Sequence, residues 1–160
     1  MPAATDPSTP RTAGVIPPPV LFFAALALGF ALHRLWPQPL FADATAGRVA
    51  GVALIALGAA LGTWMMLHFR RAGTPVSPLR PTRRLVVSGP YRYSRNPDYI
   101  GQALICAGIA LAANAAWALL MLPPALLLVR HAVVAREERY LLALFGEPYA
   151  AYCRRVRRWI

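Results

Sequence analysis

The sequence predicts an all-α, polytopic membrane protein. It has about four transmembrane helices, the last two a short hairpin, followed by C-terminal cytoplasmic or interfacial helices. Three observations predict this. Hydrophobic residues make up 58% of the 160, and with glycine added the apolar class exceeds the roughly 45–50% of a soluble domain. Charged residues fall to 14%, against about 25% in a soluble domain. The apolar residues also come in long uncharged runs with the charges gathered between them. A soluble chain of this length has too small an interior to hide so much apolar surface, whereas a bilayer solvates it.

Residues 1–14 are rich in Pro, Ala and Thr and read as a flexible leader. The first span is expected over 15–36. It ends in His33, Arg34 and Trp36, which suit an interface, and Pro37 and Pro39 stop it. Its core, Val20 to Leu32, resembles a signal-peptide core. The nearest A-x-A-like site, Ala42-Asp43-Ala44, lies about ten residues on and beyond Arg34, so an uncleaved helix is the better reading. A loop, Gln38 to Gly47, leads to a second uncharged span over 49–69, whose Gly51, Gly58 and Gly62 suggest close helix packing.

Residues 70–98 hold seven arginines and form a polar connection on one side of the membrane. Tyr99 to Val129 then gives 31 uncharged residues. That is long for one span and short for two, which need about 20 and 40. Charge decides between them. Seven more arginines lie in 130–160, and a single crossing would put the two basic clusters on opposite faces, against the positive-inside rule. A hairpin of spans 98–113 and 115–130, turning at Ala113-Asn114, puts both in the cytoplasm with both termini. Pro123-Pro124 is expected to kink or break the second arm.

Helices are then expected over 131–146 and 148–158, with Gly146 ending the first and Pro148 opening the second. Tyr149, Tyr152, Val156 and Trp159 share one face of the last helix and the arginines largely occupy the others, which predicts an interfacial helix with its aromatic side in lipid. There is no internal repeat. Every basic residue is arginine, and the net charge is +11. Because the arginines flank apolar segments, the charge points to headgroups and excludes nucleic acid as the expected partner. Cys106 lies in an apolar run and Cys153 in the basic end, so no disulfide is expected. No metal-ligand spacing occurs.

Two clusters carry the candidate chemistry. One is Gly89-Pro90-Tyr91-Arg92-Tyr93-Ser94-Arg95-Asn96-Pro97-Asp98-Tyr99-Ile100-Gly101. The other is Arg136-Glu137-Glu138-Arg139, followed by Phe145-Gly146-Glu147-Pro148-Tyr149 and Tyr152. Taken separately they have plain readings. Asn96-Pro97-Asp98 is a good helix entry, and Glu137-Glu138 is a solvated pair balanced by its arginines. Taken together they offer donors and aromatic surface on one side and carboxylate acceptors on the other. Successive helix residues point about 100° apart, so Glu137 and Glu138 cannot address one atom, and at least one pairs with an arginine.

The runs "GPYRYSRNPDYIG" and "REERYLLALFGEPYAAYCRRVRRWI", separated by an apolar hairpin, resemble the isoprenylcysteine carboxyl methyltransferase family, which is related to the phospholipid N-methyltransferases. The resemblance covers residues 85–160. It implies a membrane-embedded enzyme that transfers methyl from S-adenosylmethionine to a lipophilic or lipid-anchored acceptor, with the cofactor at the cytosolic end of the last membrane helices. It further implies a cofactor site drawn from Tyr91, Arg95, Asn96, Pro97, Tyr99 and Gly101, from Glu137 and Glu138 opposite, and from Tyr149, Tyr152 and Arg158, which close it. The family usually has His where this chain has Asn96. Asn can donate a hydrogen bond but cannot shuttle a proton. His68 and His131 are the nearest candidate bases, each a lone histidine at a membrane boundary. No catalytic residue is assigned, and no metal is expected. A monomer in the bilayer is the default assembly. Two other classes compete: a non-catalytic membrane subunit, which would lack cofactor affinity, and a membrane reductase binding a nicotinamide cofactor, for which the chain is short.

Overall fold

The structure, a computed structural model, describes residues 17–72 and 85–160. The leader and residues 73–84 of the arginine-rich connection lie outside them.

Helix α1, Pro18–Leu35, opens on proline, whose missing N–H costs nothing in a first turn. It closes where the Trp36 amide bonds the Leu32 carbonyl, just before Pro37. Helix α2 runs Ala44–Ala72. It starts five residues earlier than expected because the Asp43 carboxylate accepts the Thr45 amide at 2.9 Å and caps it. Helix α3, Pro97–Ala112, follows the Asn96-Pro97 entry.

Then come α4, Ala116–Leu120, α5, Leu122–Leu128, a π-helical segment, Val129–Val134, and α6, Ala135–Phe145. The expected break at Pro123-Pro124 falls instead at Met121, and the two prolines sit harmlessly in the first turn of α5. From Ala116 to Phe145 the chain is one 30-residue rod, so the expected membrane and cytoplasmic helices are continuous. Helix α7 covers Glu147–Arg155. The expected helix to 158 stops there: Val156 turns to extended backbone. No strand occurs among the described residues.

Helices α2 and α3 lie closest together, because glycines face each other along the seam. A Cβ on Gly51 would stand 2.5 Å from the Gly108 carbonyl oxygen, and one on Gly58 2.6 Å from that of Gly101. Helix α1 packs on α4, with Gly29 against the Ala118 backbone. The core gathers Phe22 and Leu26 of α1, Cys106 and Ala110 of α3, and Val129 and Val133 of the rod.

Asn114 makes the hairpin turn in the left-handed region, at φ 53°. Its Oδ1 accepts the amides of Leu40 and Phe41 at 2.8 and 2.9 Å, and its Nδ2 donates to the Phe41 carbonyl. The Trp117 indole donates to the Trp36 carbonyl nearby. One end of the bundle is therefore tied shut. Outward, α1 and α2 expose Val20, Phe23, Leu28, Val49, Val52 and Leu57. Such faces belong in hydrocarbon. Among the described residues three helices are long and apolar enough to cross a bilayer, and α3 is shorter at 16 residues. The chain is an integral membrane protein.

Candidate active site

The open end of the bundle, where α2 finishes, α3 begins and α6 meets α7, collects the candidate residues. A 3-10 turn over Gly89–Arg92 leads in. Gly89 has φ +60°, and the His68 ring fills the space a Cβ would need, which would lie 2.5 Å from it. This contact sets Tyr91 edge-on to Phe69, with ring centroids 5.5 Å apart. From α7, the Tyr152 hydroxyl donates to the Tyr91 carbonyl at 2.8 Å.

The two glutamates part company, as helical geometry requires. Glu138 binds two cations. Arg158 meets it with Nε and Nη2 at 2.9 and 2.6 Å, and Arg95 Nη1 lies 3.1 Å away. This carboxylate raises the Arg158 pKa further. Arg95 Nη1 also donates to Cys153 Sγ at 2.8 Å. Glu137 takes the Tyr99 hydroxyl at 2.8 Å. Asp98 takes the Gln102 amide at 2.8 Å, one helical turn along α3.

The arrangement has two lobes. Around Glu138, two guanidiniums against one carboxylate leave net positive charge. Asp98 and Glu137 have neutral side-chain partners, Gln102 and Tyr99, and form a lobe of carboxyl groups outside the ion pairs of the described residues. Burial pushes the Tyr91 hydroxyl well above the usual phenol range, and the Asp98 and Glu137 carboxylates add to the shift. Burial also raises Tyr149 and Tyr152, the latter against the opposing pull of Arg95. All three hydroxyls therefore stay protonated donors at neutral pH. Among the described residues, two buried side-chain polar atoms have no partner: Arg95 Nε, a donor, and Gln102 Oε1, an acceptor.

The structure thus brings Tyr91, Arg95, Tyr99, Glu137, Glu138, Tyr149, Tyr152 and Arg158 to one place. Pro97 is buried in the first turn of α3 and shapes its start. Gly101 faces α2, where a Cβ would lie 3.2 Å from the Gly58 carbonyl oxygen. Asn96 spends its side-chain amide on the Arg158 carbonyl at 2.8 Å. Tyr149 and Tyr152 are buried in protein, each 4% exposed, which corrects the expectation that this face enters lipid. Their face points inward because the Tyr91 carbonyl and the Arg95–Cys153 contact receive it. His68 holds its Nδ1 3.0 Å from the Trp64 carbonyl of its own helix while its ring lies against Gly89, and His131 is exposed. Sequence reasoning missed Gln102 and Cys153. The i, i+4 spacing of Asp98 and Gln102 could have signalled the first; nothing local signals the second.

Comparison with curated proteins and with solved structures gives no match. Among family models, the match runs from residue 46 to residue 148, from early α2 to the first turn of α7. It takes in both sides of the α2–α3 seam, the whole rod, Tyr99 and both glutamates. The model it matches is that of phospholipid methyltransferases, and the chain belongs to this family.

Proposed function

We propose that the protein transfers a methyl group from S-adenosylmethionine to a lipophilic, membrane-associated acceptor. The two-lobed arrangement at the open end of the bundle, guanidiniums on one side and carboxyl groups on the other, carries this reading. A cofactor with an amino-acid head and a cationic sulfur needs a cation for its carboxylate and anions for its positive groups. Arg95 and Arg158 around Glu138 supply the first, and Glu137 and Asp98 the second. The unpartnered Arg95 Nε and Gln102 Oε1 are a buried donor and acceptor that such a ligand would satisfy. The residues therefore fit the group. Bound there, it supplies an electrophilic methyl on sulfur.

The chain's own part is to bind, orient and exclude water. Tyr149 and Tyr152 offer neutral, buried surface and Tyr91 a half-buried one, and the Tyr152 hydroxyl is held on the Tyr91 carbonyl. Tyr99 orients Glu137, and Arg95 with Arg158 orients Glu138. The length of α3 bears on the acceptor. Its 16 residues reach about 24 Å at about 1.5 Å per residue, against about 30 Å of hydrocarbon. With the Asn114 turn at the opposite interface, the start of α3 lies inside the hydrocarbon boundary. An acceptor carried on a lipid or prenyl chain can approach there from the bilayer. Neither histidine joins the carboxylates, which favours an acceptor that is already nucleophilic, such as a carboxylate or thiolate. The arginine-rich end faces the cytoplasm in this reading, and a monomer suffices.

Calorimetry of S-adenosylhomocysteine with the purified protein in detergent tests the proposal. Micromolar binding is expected, weakened at least tenfold by Glu138→Gln. A folded protein that binds none overturns the reading and favours a non-catalytic membrane subunit.

A further inference from the structure

We infer that Asn96 is a positioning residue that latches the C-terminal strap, residues 156–159, across the open end of the bundle. What the strap positions, Arg158 upon Glu138, matters for catalysis on the methyltransferase reading above; the latch itself does not depend on that reading. Beyond α7 the chain turns extended at Val156 and runs back over the entry to α3. Three groups of the 94–96 segment hold it. The Arg95 amide donates to the Arg157 carbonyl at 3.0 Å. The Asn96 Nδ2 donates to the Arg158 carbonyl at 2.8 Å, and the Ser94 hydroxyl reaches the same oxygen at 3.4 Å. Ser94 Oγ in turn accepts the Asn96 amide at 3.0 Å.

The Arg158 oxygen is an acceptor only, so the side chain facing it must present a donor, N–H or O–H. Asn96 is 8% exposed. A side chain without a donor would leave that oxygen with the long Ser94 contact alone. The same residue, Arg158, sends its guanidinium to Glu138, which also contacts Arg95. Its neighbour Trp159 packs on the core. Fixing the Arg158 main chain therefore fixes where the cationic lobe lies. This role needs a hydrogen-bond donor at residue 96 and no proton transfer. A histidine there can fill it in either protonation state, since both carry at least one N–H.

The test uses the full chain in detergent with two readouts. One is the rate at which Cys153, next to the strap and held by Arg95 Nη1, reacts with a maleimide; Cys106 is buried and serves as the silent thiol. The other is S-adenosylhomocysteine affinity. Asn96→Leu is expected to label at least fivefold faster and bind at least tenfold more weakly. Asn96→His is expected to match the wild type in both, equally at pH 6 and pH 8. Should Asn96→Leu not fold, Asn96→Asp, which keeps the volume and loses the donor, carries the same expectations. The latch is overturned if the donor-less variant labels as wild type or if Asn96→His fails alongside it, and faster labelling with unchanged affinity overturns the positioning of Arg158 by Asn96. If the wild type binds no S-adenosylhomocysteine, the methyltransferase reading fails, and the labelling rates alone decide the latch.

Discussion

Tyr99 shows how one side chain joins the two motif clusters. It sits in the first turn of α3, is 4% exposed, and gives its hydroxyl to Glu137, 38 residues away. Tyr99→Phe keeps the packing and removes the donor. Leaving a buried acceptor without its donor costs about 1–3 kcal/mol, so the variant should stay folded and lose stability of that order, read by reversible unfolding in mixed micelles. Its affinity for S-adenosylhomocysteine should fall together with that of Glu137→Gln, and combining the two should add little, because both delete one contact. Unchanged stability would mean that Glu137 has an equivalent partner. At this scale much of the site was legible. Tyr, Arg and Glu at motif spacing pointed to groups that the structure brings together. Two readings changed for a physical reason that local sequence does not carry. Asn96 reads as a cofactor-site donor until the strap takes its amide, and Gly101 as a cofactor-site glycine until α2 lies against it.

Among the elements, the α2–α3 seam sets how closely the site's framework is held. Gly58 and Gly101 meet within the turns that lead to Tyr99, and Gly51 and Gly108 meet two turns further along. A Cβ on Gly108 would lie 2.5 Å from the Gly51 carbonyl oxygen, which is backbone and cannot swing aside. Gly108→Val should therefore push the helices apart and cost about 1–3 kcal/mol, the usual cost of overpacking. Gly62, with open space around the same position, should accept alanine with little change. Equal losses at the two positions, measured by thermal unfolding in one detergent, would sink the seam argument. The sequence marked Gly51 and Gly58 for packing, but also Gly62, where a Cβ would meet nothing, and it did not mark their partners Gly101 and Gly108. It marked the Asn114 turn and the Pro97 start. It did not mark the π-helical segment at Val129–Val134, because bonds that skip one extra residue leave no compositional trace. Nor did it tell lipid from protein on the aromatic face of α7, since both reward the same tyrosines.

At the level of the whole molecule, the arginines show how the fold lies in a bilayer. The contact of Phe69 with Tyr91, the hydroxyl of Tyr152 on the Tyr91 carbonyl, and the Arg95–Glu138–Arg158 group all lie at one end. That end carries Arg70, Arg71, Arg92, Arg154, Arg155 and Arg157 as well. The other end, tied by Asn114 and Trp117 to the α1–α2 loop, carries Arg34 and Arg48 among the described residues. The 30-residue rod reaches about 45 Å at about 1.5 Å per residue. It outruns the hydrocarbon and leaves Arg136 and Arg139 beyond it. A chain so polarised should insert with its basic end in the cytoplasm. Single cysteines at Gln38 and Arg155 report this when a membrane-impermeant maleimide is applied to vesicles of known orientation. Arg155→Cys should label only from the cytoplasmic face, and Gln38→Cys only from the opposite one. Labelling of both from one face would mean that α1 or the rod does not cross. Labelling with the faces exchanged would keep the fold and place the site outside the cytoplasm, away from the supply of S-adenosylmethionine that the proposed reaction consumes.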